Sequence, residues 1–143
     1  MAFISTIAET LTLEGISFNK SHSVTKEADY YEKKIIKAST SAGGASIYTL
    51  SYNGSGADYD YDLVTYSRIT NLDSTNHMYI RIATGGKFID FDIPPLGFHI
   101  IYEHDKFAND ASDPEYNGEV VDVKVQGISD PHLIEVLIMH KDS

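Results

Sequence analysis

The chain has 143 residues, no cysteine, and 21 acidic against 11 basic residues, for a formal net charge of −10. This length fits one domain that folds without staples, and the lack of thiols excludes a disulfide framework, a thiolate nucleophile and a thiolate zinc site. An acidic surface repels phosphate, so nucleic acid and anionic membrane are not expected partners; such a charge suits solubility or docking onto a basic partner.

Ten tyrosines, six phenylalanines and many isoleucine, valine and threonine residues favour strands, and ten glycines and four prolines supply turns. Residues 2–18 have apolar side chains at mixed spacing and read as one or two strands broken near Gly15, although their first part also fits a short helix. No signal peptide is expected there, because MAFISTIAETLTLEG has neither a basic n-region nor a continuous apolar h-region. No apolar run reaches the ~18 residues of a membrane span. Residues 27–38 are ambiguous: Thr25 can cap a helix, but the alternation Tyr31-Lys33-Ile35-Lys37 predicts a strand.

Residues 39–46 read as a loop, 47–53 as a strand and 54–62 as a Gly/Asp loop tip. Residues 63–72 form a strand, and Asp73-Ser74-Thr75-Asn76 a turn whose side chains bond their own backbone. Residues 77–84 alternate, with Met78, Ile80 and Ile82 on one face, and Gly85-Gly86-Lys87 makes a tight hairpin. FIDFDI (88–93) puts Ile89, Phe91 and Ile93 on one face and Asp90 and Asp92 on the other. Pro94-Pro95 ends that strand because proline cannot donate a ladder hydrogen bond, and Gly97 helps the chain turn. FHIIYEH (98–104) resumes the pattern, so that 63–104 reads as an antiparallel meander.

Residues 103–119 form a long polar loop. Residues 120–128 and 133–140 are the last strands, joined by Ser129-Asp130-Pro131. LIEVLIMH is apolar on both faces, so it runs through the middle of a sandwich or turns one face to a partner. The pattern predicts a single all-β domain over 1–143, an antiparallel β-sandwich of jelly-roll type. Residues 1–18 are its N-terminal strand or arm, with Phe3, Ile4 and Ile7 either reaching a neighbour or covering the sandwich. Core candidates are Ile80, Ile82, Phe91, Ile100, Val123 and Val125.

Six histidines invite a search for a metal site: His22, His77, His99, His104, His132 and His140. Pro95-Leu96-Gly97-Phe98-His99 approaches the Pro-x-Gly-x-x-His element of cupins, but its histidine comes one residue early and the His-x-His…Glu element is missing. The plain reading places these residues on the surface or at strand edges. Asp105, Asn109, Asp110, Asp113, Glu115 and Asn117 offer oxygens to a hard cation without the EF-hand spacing, so a solvated acidic loop is the simpler reading. Asp58-Tyr59-Asp60-Tyr61-Asp62 can stack sugars or line an interface, or be a solvated loop with partly packed tyrosines.

Paired carboxylates for glycoside hydrolysis have no fixed sequence spacing, but tryptophan platforms are absent. Asn53-Gly54-Ser55-Gly56 is not a nucleophile elbow, and Gly43-Gly44 and Gly85-Gly86 match no phosphate loop. No catalytic, cofactor-binding or metal-ligating residue is therefore assigned, and no cofactor is expected.

The stretch TNLDSTNHMYIRIA followed by GKFIDFDIPPLGFHIIYE resembles a pattern in small β-sandwich structural proteins of tailed-phage virions, the capsid decoration or cement type. Asn71, Asp73, Asn76, Pro95 and Gly97 carry it: an Asn-x-Asp-x-x-Asn turn, an aromatic-rich strand, a Pro/Gly turn and an apolar strand. Other viral jelly rolls and some carbohydrate-binding modules share the pattern. The resemblance implies a non-enzymatic protein at the capsid surface. It would bridge major capsid subunits and work as a homo-oligomer, a trimer or dimer, or within the lattice. Apolar burial with a polar rim would hold it there, and binding only the assembled lattice would stabilise that lattice by mass action. A head-tail connector, a tail component and a carbohydrate-binding module are the alternative roles.

Overall fold

The computed structural model describes residues 1–51, 57–60, 63–84, 86–102 and 120–142. These residues contain no helix. The strands are β1 (Ala2–Leu13), β2 (Ile16–Glu27), β3 (Tyr30–Lys37), β4 (Ala45–Ser51), β5 (Tyr59–Asp60), β6 (Val64–Asn71), β7 (Met78–Thr84), β8 (Lys87–Ile93), β9 (Phe98–Tyr102), β10 (Val121–Gln126) and β11 (Leu133–His140). One sheet has the order β5-β4-β10-β7-β8 and a second the order β3-β11-β6-β9, while β1 and β2 pair only with each other. Without the short β5, the eight remaining strands of the two sheets have the double Greek-key order of a jelly roll. The all-β sandwich expected from the sequence is therefore the fold, and the ambiguous segment 27–38 is a strand. The Gly/Asp loop also holds a two-residue strand, β5, which runs parallel to β4.

Alternation builds the core. On β11, Ile134, Val136 and Ile138 are fully buried, facing Met78, Ile80, Val123 and Val125 of the other sheet. β11 lies between β3 and β6; its inner face is the core, and its outer Leu137 and Met139 line a cleft with Phe3 and Ile7 of β1. Tyr48 spans the interior, its hydroxyl 2.7 Å from that of buried Ser67. Burial pushes the Tyr48 phenol up to about 12, although the Ser67 hydrogen bond acts the other way. On β8, Asp90 and Asp92 face outward as expected, where Asp90 receives a fork of two hydrogen bonds from Arg81 and Asp92 pairs with His77.

Ile80, Val123 and Val125 are core residues, Phe91 packs against the core, and Ile82 is half-buried. Ile100 is a correction. It is registered opposite Arg68 on the outer face of its sheet, and its neighbour Ile101, opposite buried Ser67, turns inward. Two adjacent isoleucines left the face undecided, and pairing with β6 chose it.

The meander is a second correction. β6 pairs with β11 and β9, and of the strands in this stretch only β7 and β8 form a hairpin, in the other sheet. The chain crosses between sheets after β6 and crosses back after β8. Pro94-Pro95-Leu96-Gly97 is the return crossing, so the strand pattern stops and resumes because the chain has changed layers.

Candidate functional site

The two crossings lie side by side and are tied together. Asn71 is fully buried at the end of β6, and its amide Nδ2 donates to the carbonyls of Asn76 at 2.8 Å and Pro94 at 3.1 Å. The Asn71 N–H donates to the Gly97 carbonyl at 2.8 Å, and the Leu96 N–H to the Asp73 carbonyl at 3.1 Å. Leu96 sits at φ 59, in the left-handed region. Asp73 closes its own turn: Oδ1 accepts the N–H groups of Thr75 and Asn76, each at 2.8 Å. The residues that carry the sequence resemblance thus gather at one corner, with a structural duty there.

The turn between β10 and β11 joins the same corner. His132 is fully buried. Its Nδ1 accepts the Ile128 N–H at 3.2 Å, which leaves Nε2–H to donate to Asn71 Oδ1 at 2.9 Å. The Ser129 hydroxyl donates to Asp73 Oδ2 at 2.8 Å and lies 3.3 Å from His132 Nδ1. This Ser–His–Asn row has the outline of a hydrolytic triad. However, the Nδ1 lone pair that a general base needs is already taken, and the serine proton already serves a carboxylate. The row works as a polar fastener between three crossings.

The backbone N–H groups of Thr75, then Asn76, then the Ser129 hydroxyl hold the Asp73 carboxyl well below its usual range. Burial lowers His99, which stacks on Phe91 with ring centres 4.3 Å apart. Both shifts favour the deprotonated form in the fold. Their stabilisation is complete above the unfolded-chain values, ~6.5 for histidine and ~4 for aspartate, and is lost as pH falls below each. Acid titration of denaturant midpoints should therefore show loss starting below pH ~6.5 and steepening below ~4, with the steeper stage reduced in Asp73→Asn.

The hairpin β1–β2 is the other outstanding feature. Glu14 at φ 50 and Gly15 at φ 80 turn it, the two-residue geometry that matches strand twist. Each strand has 12 residues, so the ribbon runs about 40 Å. Its two faces differ. The register puts Phe3, Ile7, Leu11, Leu13, Ile16, Phe18 and Val24 on one face. The other carries Thr6, Thr10, Thr12, Ser17, Asn19, Ser21 and Ser23, with Ile4 as its one large apolar member.

At the base, Phe3 meets Tyr66 edge-on, with ring centres 5.7 Å apart. Phe3 and Ile7 line a cleft of about 260 Å³ with Arg68, Phe98, Ile100 and Leu137 on the outer face of the four-stranded sheet. At the tip the apolar face continues, uncovered among the described residues: Leu11 is 56% exposed, Leu13 63%, Ile16 61% and Phe18 54%. Phe3 and Ile7 thus cover the sandwich at the base of the hairpin, and the hairpin, which runs through residue 27, continues beyond them.

An isolated two-stranded ribbon is marginal in water. Four large side chains left more than half exposed withhold about 1 kcal/mol or more each that burial would supply. On the same sheet face Phe98, at the edge of this cleft, is 55% exposed, and outside the arm base Tyr31 is 67% exposed, Ile35 60% and Leu133 45%. Sequence reading marked only Phe3, Ile4 and Ile7. The cross-strand pairs Leu11–Phe18 and Leu13–Ile16, the strongest signal in the segment, needed the turn at Glu14-Gly15 to be placed first.

The remaining candidates disperse. His22 lies on the exposed arm, His77 pairs with Asp92 at 2.7 Å, and His140 packs against Tyr30 and Tyr59. Among the described residues no three histidine or acidic side chains converge on a metal-sized site. Tyr59 is half-buried, its hydroxyl donates to Glu32 at 2.6 Å, and Asp58 accepts the Thr49 N–H at 2.9 Å. Asn53, Gly54, Ser55, Gly56, Tyr61, Asp62, Gly85 and the whole of 103–119, including His104 and the acidic loop, lie outside the described residues. No protein family, curated protein or solved structure matches the chain.

Proposed function

We propose that the chain is a non-enzymatic assembly protein, a virion structural component of the decoration or cement type that bridges neighbouring major capsid subunits. The observation that carries this reading is the amphipathic arm, whose apolar tip, with Leu11, Leu13, Ile16 and Phe18 more than half exposed, covers no surface among the described residues. A connector or tail role would use the same arm. Jelly rolls serve viral capsids, lectins and cupins alike, so the fold supports the reading by analogy only. The phage assignment rests on the Asn71-to-Gly97 pattern. A carbohydrate-binding role is less favoured, since Tyr59 has its ring packed and its hydroxyl engaged.

The net charge of −10 calls for a basic patch on the capsid subunit. Purified protein mixed with particles lacking it should co-sediment at low salt, less so at high salt. Binding should fall at least tenfold in a Leu11→Ser/Phe18→Ser variant. Wild-type protein that stays in the supernatant at every salt concentration removes the capsid reading. A reproducible glycan-array hit lost in Tyr59→Ala would replace it with the sugar-binding one.

A further inference from the structure

Resting on the assembly reading, we propose that the arm tip docks on a second copy of this chain, against the exposed outer face of the four-stranded sheet beside Ile35 and Phe98. Three observations select that occupant. First, the sheet face already accepts this ribbon face in cis, where Phe3 packs on Tyr66. Leu11 and Phe18 continue the surface to which Phe3 belongs. Second, the arm outruns its own body. A ribbon of about 40 Å crosses a sheet that offers at most ~26 Å along its eight-residue strands and ~15–20 Å across four of them. A paired ribbon of that length reaches past the described sheet, so the matching surface is taken from a second molecule.

Third, the local charges fit although the whole molecules repel. On the sheet face Lys33 and Arg68 share one carboxylate, Glu135, at 3.5 and 3.1 Å. Arg68 Nε is buried without a hydrogen-bond partner. The arm tip brings Glu9 and Glu14 against Lys20 alone. A tip laid on a neighbour's sheet thus places carboxylates beside surplus cations, and its apolar residues beside Ile35 and Phe98. Both halves of the contact belong to one chain, so each copy gives one arm and receives one, in a dimer or ring where the rotation closes.

A chain without cysteine makes the test direct. Leu13→Cys and Ile35→Cys proteins carrying different tags are mixed and treated with a short bismaleimide, and Thr10→Cys, on the polar face of the arm, replaces Leu13→Cys as control. The expected result is a Leu13–Ile35 adduct between differently tagged chains, several-fold above the Thr10–Ile35 adduct and competed away by excess wild-type chain. Light scattering of wild-type protein should show a mass that rises with concentration to a multiple of the monomer. The proposal falls if Leu13–Leu13 adducts dominate, if Thr10 links equally well, or if the mass remains that of a monomer at all concentrations. A monomer that still co-sediments with particles through Leu11 and Phe18 keeps the assembly reading and assigns the tip to a capsid subunit.

Discussion

Asn71→Ala should lower the unfolding free energy by roughly 3–5 kcal/mol, far more than a polar side chain at a strand end ordinarily contributes. Among the described residues its amide is the one side-chain group bonded to all three crossings. It donates to the carbonyls of Asn76 and Pro94, and its Oδ1 accepts from His132 Nε2–H and from the Asp73 N–H at 3.0 Å. Truncation strands the imidazole N–H and the carbonyls in a site without water access, and each stranded group costs about 1–3 kcal/mol. Asn71→Asp should cost as much, since a carboxylate cannot donate to the two carbonyls. Ser129→Ala removes one hydroxyl from a half-exposed place and should cost about 1 kcal/mol. A double-mutant cycle of Asn71→Ala with His132→Ala should show strong coupling, because the second truncation removes a group the first has already stranded. Urea denaturation gives all four values. An Asn71→Ala cost below about 1 kcal/mol would mean that sheet pairing alone sets the corner.

That corner shows what the sequence could and could not tell. Alternation in 77–84 and 88–93 put Ile80 inward and Asp90 outward, because a period of two forces the choice once one face is buried. The Pro94-Pro95 stop was equally legible. Which sheet the next strand joins was not, since proline ends a ladder without saying where the chain resumes. The partners of Asn71 lie 5, 23 and 61 residues along the chain, and no local pattern ties a histidine in the β10–β11 turn to an asparagine on β6.

The arm divides in the same way. Its strands were readable around Gly15, but their register was not, and register alone decides whether Leu11 and Phe18 share a face. The double apolar character of Leu133–His140 was legible as a dilemma between a central strand and a partner face. The first alternative holds: β11 is central, and its outward Leu137 and Met139 line the cleft beneath the chain's own arm base.

Gly44→Ala and Gly15→Ala should separate body from arm. Both glycines have positive φ, +75 and +80, so alanine at either costs about 1 kcal/mol in backbone strain. Nothing surrounds a Cβ at Gly15. A Cβ at Gly44 would stand 2.6 Å from the carbonyl carbon and oxygen of Val125 and 2.9 Å from the Gln126 nitrogen. These are backbone atoms of β10, which lies between β4 and β7 and cannot retreat without breaking a ladder. The approach is close because the loop before β4 is laced to β10: the Gly43 N–H donates to Gln126 Oε1 at 3.1 Å, and the Gly127 N–H to the Ser39 carbonyl at 2.8 Å. Gly44→Ala should therefore lose 3 kcal/mol or more, about 2 beyond the strain it shares with Gly15→Ala, and unfold the sandwich at a visibly lower temperature. Gly15→Ala should leave that transition nearly unmoved, because among the described residues the arm meets the body at its base, and should instead weaken whatever the tip holds. Calorimetry beside the cross-linking yield reads both effects. Equal thermal losses in the two variants would mean that arm and sandwich fold as one unit.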